Sequence, residues 1–268
     1  MRVSTRTIVV VVTGSLAAQV AVRGQVRDAA HVLAEAREAL GGEARLSAIK
    51  TFVAVGRTRQ LRGNNLVPIE FEIDCELPDS YVRKDEFPAQ DTDLSVTGFR
   101  GDELIAYPPP PAGRGGPPPA QRLMTVKQDF ARLMLGGFAA SFSTFPLTFK
   151  YAAEAEAPEG KADVLDVAGP ANFAARLVVQ RDTHLPVMIM WQPPTQPARA
   201  GGPPSAATAS QSSPQENRLY FADYRTVSGV KWPFRIRRAV GGNTIEETTF
   251  DRVSVNVKID PKKFQTPK

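Results

Sequence analysis

A strict alternation of apolar and acidic residues marks the segment from Val67 to Leu77. Alternate side chains of a strand point to opposite faces, so one face of this segment is apolar and the other is acidic. This pattern is typical of an antiparallel sheet with one face on a core and the other in water. Four carboxylates on one face repel each other, so we expect basic residues of the neighbouring strands beside them. The candidates are Arg57, Arg59, Arg83 and Lys84.

The same period of two recurs along the chain, from Thr51 to Tyr107 and again from Leu147 to Val257. Short turns separate most of these segments. The pattern predicts about ten or eleven antiparallel strands in a large sheet or a half-closed barrel. Strands and helices do not alternate as they do in a βαβ fold, which argues against a nucleotide-binding α/β fold.

Helical spacing appears before the first strand and again in the middle of the chain. Asp28 can cap a helix that ends at Gly41 and Gly42, and a short helical turn follows over 43–50. The middle helix is predicted over Gln121–Phe138 and has a broad apolar surface. Packing against the sheet explains that surface. A surface that adapts to variable apolar shapes explains it as well, since flexible methionines lie beside Gly136 and Gly137.

The first residues have the three zones of a secretory signal peptide. Arg2 and Arg6 precede an apolar run from Ile8 to Val22, and Arg23-Gly24-Gln25 follows, with the expected cleavage after Gly24. The run is shorter and more interrupted than the roughly 20 apolar residues of a membrane-spanning helix. We therefore expect residues 1–24 to be cleaved and residues 25–268 to form one soluble, exported domain. Its single cysteine, Cys75, lies too far from this segment for a lipidated anchor and has no partner for a disulfide.

The formal net charge of +5 suggests an acidic partner at first sight. Three of the basic residues, Arg2, Arg6 and Arg23, belong to the predicted signal peptide, and without them the two signs nearly balance. We therefore expect no nucleic-acid partner. Basic residues do gather within residues 231–238 and 258–268, and we interpret them as a solvated face, with a patch for an acidic partner as the alternative.

More than half of the 23 prolines lie in two low-complexity stretches, residues 108–119 and 193–214. Both are too polar and too rich in proline to pack, and we expect disordered insertions at strand ends. The alternative is a docking motif for a partner that recognises polyproline at Pro108–Pro111.

Candidate catalytic groups are few. The chain has two histidines, of which His31 falls in or beside the first helix and His184 in a turn between strands. No zinc-ligand spacing, nucleophile elbow or phosphate-binding loop is present in the sequence. Cys75 falls on the apolar face of its strand, where we expect a buried and inert thiol. We therefore predict a protein without catalytic activity, cofactor or metal, and a carboxylate-dependent hydrolase is the remaining enzymatic alternative.

Several short motifs resemble the LolA/LolB-like superfamily of periplasmic lipoprotein carriers and sorting proteins. The first two are Ala39–Leu46 before the first strand and Asp182–Pro186 between two later strands. The others lie in the last third of the chain, at Tyr220–Tyr224, Val227–Val230, Trp232–Ile236 and Ile259–Phe264. The proline-rich stretches depart from the family pattern.

The resemblance implies a strongly curved, incomplete antiparallel sheet around an apolar cavity, with helices as a lid. It also implies a periplasmic location and a cargo of lipid or lipoprotein acyl chains, held without covalent chemistry. On this basis we expect the apolar faces of three strands and of the middle helix to line the cavity. The expected ligand-binding residues are Phe71, Ile73, Phe130, Leu133, Met134, Phe138, Leu177, Val179, Ile189 and Trp191.

The sequence therefore favours a monomeric periplasmic carrier or sensor for apolar cargo. The alternative from another class is an interaction scaffold that binds an envelope protein through its charged sheet face and proline-rich loops.

Overall fold

Twelve antiparallel strands form one sheet in the computed structural model, which describes residues 27–88, 94–109, 116–157, 160–193 and 215–267. This confirms a mainly antiparallel β protein with added helices, although the sheet has one or two strands more than expected. The strands are β1 Thr51–Arg62, β2 Asn65–Glu76, β3 Ser80–Glu86, β4 Leu94–Arg100, β5 Glu103–Tyr107, β6 Thr148–Ala157, β7 Gly160–Gly169, β8 Phe173–Gln180, β9 Pro186–Trp191, β10 Asn217–Val227, β11 Val230–Val240 and β12 Asn243–Val255.

The strand order in space is β5-β4-β3-β2-β1-β12-β11-β10-β9-β8-β7-β6. Strands β1 and β12 pair near the middle, with Phe52 opposite Val255, so the first and last strands of the chain are neighbours in the sheet. Strands β5 and β6 are its edges, and the sheet stays open.

Three α-helices accompany the sheet: α1 Ala29–Leu40, α2 Glu43–Ala48 and α3 Pro119–Phe138. The side chain of Asp28 accepts a hydrogen bond from the backbone N–H of His31, which confirms the predicted cap of α1. Helix α3 contacts β4 and β5 near one edge and also β9 and β11 well across the sheet. One helix reaches such distant strands only because the sheet curves around it. No helix of the described residues is long and apolar enough to cross a membrane.

The apolar face of β2 is buried as predicted: Ile69, Phe71, Ile73 and Cys75 are all at most 4% exposed. These side chains point to the inner, concave face of the sheet, where Phe71, Ile73 and Cys75 join the main core. Burial also raises the pKa of the Cys75 thiol well above its ordinary value, which agrees with an inert cysteine.

The negative charges on the acidic face of β2 are neutralised by a different residue from those we expected. Lys84 and Arg57 do lie opposite Glu72 and Glu70. However, the hydrogen bonds to the carboxylates come from Lys263, whose Nζ is 2.7 Å from Glu72 and 3.0 Å from Asp74. The prediction for Arg83 was wrong, because Arg83 lies opposite Ile73 and therefore shares the concave face.

A short 3-10 helix, Pro261–Phe264, carries Lys263 across the outer, convex face. Phe264 is buried there against Val82, Val96 and Ile105. The C-terminal segment thus covers β3 to β5 from outside.

Both the predicted signal peptide, residues 1–24, and most of the two proline-rich stretches lie outside the described residues. The last residue of the first stretch, Pro119, opens α3 instead of belonging to an insertion. Proline suits this position because a first-turn N–H has no partner within the helix.

Candidate functional site

Helix α3 fills most of the space inside the curved sheet. The Phe130 ring lies 5.2 Å from the ring of Tyr81 and 5.3 Å from that of Phe99, while Phe138 lies 5.3 Å from Trp232. Aromatic pairs at these distances are in direct packing contact. The helix is therefore the centre of the core, and any cargo must use the space that α3 leaves or displace it.

The ten residues expected to bind cargo all converge on this interior. Nine of them are buried in the main core, and Leu133 is half-buried against it. Three of the ten, Ile73, Leu133 and Trp191, line an open cleft beside α3. The other seven pack against neighbouring side chains around the helix: Phe71, Phe130, Met134, Phe138, Leu177, Val179 and Ile189.

The cleft, which we call the mouth cleft, has a volume of about 340 Å³ and lies between α3 and the concave faces of β1–β4 and β9–β12. Ligand pockets span about 300–1,000 Å³, so this volume is at the low end of that range. Apolar and charged side chains share its wall. The apolar ones are Ile69, Ile73, Tyr81, Phe87, Val126, Leu133, Trp191, Leu219, Ile236 and Phe250.

Four arginines also line the mouth cleft: Arg62, Arg83, Arg132 and Arg238. The guanidinium of Arg83 lies 4.6 Å from the centre of the Phe71 ring and donates to Asp85 and to the hydroxyl of Thr58. These contacts fix Arg83 as part of the wall. Sequence reasoning placed it on the opposite face.

Three carboxylates face the same cleft, namely Asp85, Asp129 and Glu246. Arg83 holds Asp85 at 2.7 Å, Arg132 holds Asp129 at 2.8 Å, and the Gln60 amide donates to Glu246 at 3.2 Å. Each of these three carboxylates therefore has a donor at hydrogen-bond distance.

Arg132 is the most deeply buried charge in the cleft, with a side chain only 9% exposed. Its guanidinium lies 4.3 Å from the centre of the Trp191 ring and 5.1 Å from that of Phe173. Burial lowers the pKa of Arg132, Asp129 raises it, and the positive charge of Arg238 lowers it again. Arginine nevertheless stays protonated, so α3 carries a fixed positive charge at the inner end of the cleft.

A second, larger opening lies on the other side of this arginine. This rim cleft has a volume of about 1,210 Å³ and runs between α3 and the ends of β6–β9. It shares Arg132 and Trp191 with the mouth cleft. The stacked pair of Arg132 and Trp191 therefore separates the two openings.

Both histidines of the chain lie beside one carboxylate, Glu35 of α1. His31 Nε2 is 3.2 Å from Glu35 Oε1, and His184 Nδ1 is 3.5 Å from Glu35 Oε2, where Arg27 also donates at 2.6 Å. His184 has the positive φ expected for its turn, 56°. The cluster ties α1 to the β8–β9 turn, far from an open cleft. The described residues contain no group of His, Cys, Asp and Glu side chains able to hold a metal ion.

The alternation of the strands contains a signal that could have identified the cleft arginines of β3 and β11. In β11 the inward positions are Trp232, Phe234, Ile236 and then Arg238, so a charge occupies a place in an apolar series. In β3, Arg83 follows Tyr81 at the same spacing. A charge at an inward position marks either a paired structural group or a polar contact for a ligand.

No protein-family model matches the sequence, and comparison with curated proteins finds no significant match. The fold, by contrast, matches solved structures along most of the chain. A LolA superfamily protein from Nitrosomonas europaea aligns with a TM-score of 0.56 at 10% identity, covering 90% of this chain and 99% of its own. A putative outer membrane lipoprotein-sorting protein domain from Vibrio parahaemolyticus aligns with a TM-score of 0.53 at 10% identity, covering 88% and 97%. The resemblance seen in the sequence motifs is thus confirmed for the fold.

Proposed function

We propose that this chain is a non-catalytic periplasmic carrier or sensor that holds one acyl chain in the mouth cleft. The observation that carries the proposal is the cleft of about 340 Å³ between α3 and the concave face of the sheet, with ten apolar side chains in its wall. An alkyl chain buried against these side chains would gain about 0.8 kcal/mol per methylene group, so they give affinity without further chemistry.

The size of the cleft favours a molecule with a single chain. Since α3 already occupies the centre of the sheet, the mouth cleft could take a cargo with several acyl chains only if the helix moved out of its contacts with Tyr81, Phe99 and Trp232. We expect a single chain of about twelve carbons to enter it without that change. The signal-peptide pattern and the shared fold support a periplasmic location.

Binding of dodecanoate or a lysolipid to the mature protein, followed by calorimetry and native mass spectrometry, tests the proposal. Leu133→Asp places a charge in the cleft wall, and we expect it to weaken binding by at least about tenfold, because a charge in an apolar site must be desolvated. Leu66→Asp is the matched control, since Leu66 is 67% exposed and outside the cleft. Absence of binding to any acyl compound by the folded wild-type protein would contradict the proposal.

A protein-interaction role is the second candidate, and one observation favours it. Strands β5 and β6 end the sheet with no further strand paired to them among the described residues. Free sheet edges accept an extended peptide from another protein. Removal of residues 193–214 tests the contribution of the second proline-rich stretch: loss of an envelope partner with intact lipid binding would favour the scaffold.

A further inference from the structure

Trp191 lies between two arginines in the mouth cleft. The guanidinium carbon of Arg132 is 4.3 Å from the centre of the Trp191 ring, and that of Arg238 is 5.7 Å from it. Each cation is attracted to the ring, but the two positive charges repel each other. An anion placed beside both would attract each guanidinium and so offset the repulsion between them.

The two arginines also have unused hydrogen-bond donors. The Nε atoms of Arg132 and Arg238 are both buried and have no hydrogen-bond partner. A buried donor without a partner has lost its hydration and gained nothing in return, so an oxygen supplied by a ligand would be favourable. This is the second and independent reason to look for an anion here.

Neighbouring acids do not neutralise the pair fully. Asp129 binds one side of Arg132 from a position that is 57% exposed. Arg238 forms no ion pair with any carboxylate of the described residues, although Glu246 lies opposite it on β12. The carboxylate of Glu246 instead accepts a hydrogen bond from Gln60.

We propose that Arg132 and Arg238 form an anion subsite at the inner end of the mouth cleft, which binds the carboxylate or phosphate head group of a single-chain amphiphile. The inference rests on the proposed function, because the apolar wall beside the subsite would hold the chain. Ile236 is two positions from Arg238 on the same face of β11, and Leu133 follows Arg132 on α3. Guanidinium groups match carboxylate and phosphate oxygens with paired hydrogen bonds, which gives the subsite its chemical preference.

Three ligands with the same twelve-carbon chain separate the head group from the chain: dodecanoate, dodecyl phosphate and the neutral dodecanol. We expect the wild-type protein to bind the anions about tenfold or more tightly than the alcohol, since hydrogen bonds to charged groups are the stronger ones. The ratio between dodecanoate and dodecyl phosphate then identifies the preferred anion.

Arg238→Gln and Arg132→Gln should each weaken the binding of the two anions much more than that of dodecanol, and so remove most of this preference. Arg238 is only half-buried, so its variant keeps the test informative if Arg132→Gln unfolds the protein. Arg235→Gln is the matched control: Arg235 is on the same strand but faces outward, 3.9 Å from Glu247.

Equal binding of dodecanoate and dodecanol by the wild-type protein would overturn the anion subsite and leave the acyl-chain proposal standing. An anion preference that survives in both arginine variants would overturn the subsite as well. Failure of all three ligands to bind would instead overturn the proposed function, and the subsite with it.

Discussion

Gly136 of α3 lies directly against the ring of Phe221 on β10. A methyl group added to this glycine would lie 2.6 Å from Phe221 Cδ1 and closer still to two other ring atoms. The Phe221 ring therefore packs directly on the helix backbone at Gly136, with no room for a side chain there. This contact, together with the aromatic rings of α3, holds the helix inside the sheet and sets the size of the mouth cleft.

Gly136→Ala should destabilise the protein. Alanine favours a helix over glycine by about 1 kcal/mol, but overpacking a closed core costs about 1–3 kcal/mol and should prevail. Denaturant unfolding measures the difference. Gly137→Ala is the matched control, because an added methyl there meets Trp232 at an ordinary 3.6 Å. Equal stability changes in the two variants would contradict the close approach at Gly136.

Tyr224→Phe should weaken the attachment of the C-terminal end of α3 to the sheet. The Tyr224 hydroxyl lies 2.9 Å from the carbonyl oxygen of Gly136 and 2.8 Å from that of Pro186, so it bridges the helix to β9. Burial raises the pKa of this hydroxyl well above its usual value, and it stays a donor at every ordinary pH. We expect a loss of about 1–2 kcal/mol of unfolding free energy.

Faster amide exchange at the end of α3 would show that the Tyr224 change acts locally. Tyr107→Phe serves as the reference, because its hydroxyl has no hydrogen-bond partner among the residues that the structure describes. A loss of stability no larger than that of the reference would show that the bridge contributes nothing.

Lys263→Met should weaken the attachment of the C-terminal segment in a pH-dependent way. Burial raises the pKa of Asp74 and the bond from Lys263 offsets part of that, whereas the same lysine lowers the pKa of Glu72. Without Lys263 both folded-state pKa values rise. At neutral pH the variant therefore loses the stabilisation of ionised Glu72 and the relief of buried, ionised Asp74. This loss disappears as the pH falls and both carboxylates become protonated.

The expected deficit of Lys263→Met is about 1–2 kcal/mol at neutral pH, since Lys263 is partly exposed and screened. It should shrink steadily when unfolding is measured at more acidic pH. Lys262→Met, at the neighbouring exposed position, should show neither effect. A deficit of Lys263→Met that stays constant with pH would exclude relief of these carboxylates as its cause.

The period of two predicted the strands and the inward face of β2 well, because alternation follows directly from strand geometry. It did not predict how far the sheet wraps, since curvature depends on packing between elements far apart in the sequence, such as that of α3 against both β4 and β9. For the same reason the role of α3 was left open. Met134 is buried and Gly136 is a close-packing position, so this part of the helix is a fixed core element and not an adaptable surface.

The cleft arginines were missed for a related reason. Arg132 looks like an ordinary solvent-facing residue of an amphipathic helix until the sheet closes around it. Arg238 was assigned to a solvated basic cluster with its neighbours, although its parity on β11 places it with Ile236 on the inner face. Whether a charged residue of a strand faces the core or the solvent is therefore better predicted from the alternation of the strand than from the charges of its sequence neighbours.

Trp191 offers a direct test of whether an acyl chain occupies the mouth cleft. The chain has two tryptophans, and Trp232→Phe leaves Trp191 as the only one. This change removes no hydrogen bond, because the buried Trp232 Nε1 has no partner, and a phenylalanine ring keeps part of the packing against Phe52 and Phe138. The reverse variant, Trp191→Phe, leaves Trp232 in the core, 5.0 Å from the Phe52 ring.

The decisive measurement is a fluorescence titration of both variants with dodecanoate brominated at the carbon beside its carboxylate. An acyl chain in the mouth cleft predicts saturable quenching of Trp191, reversed by unbrominated dodecanoate, with little quenching of Trp232. Absence of saturable quenching of Trp191, or equal quenching of the two tryptophans, would contradict binding in the cleft.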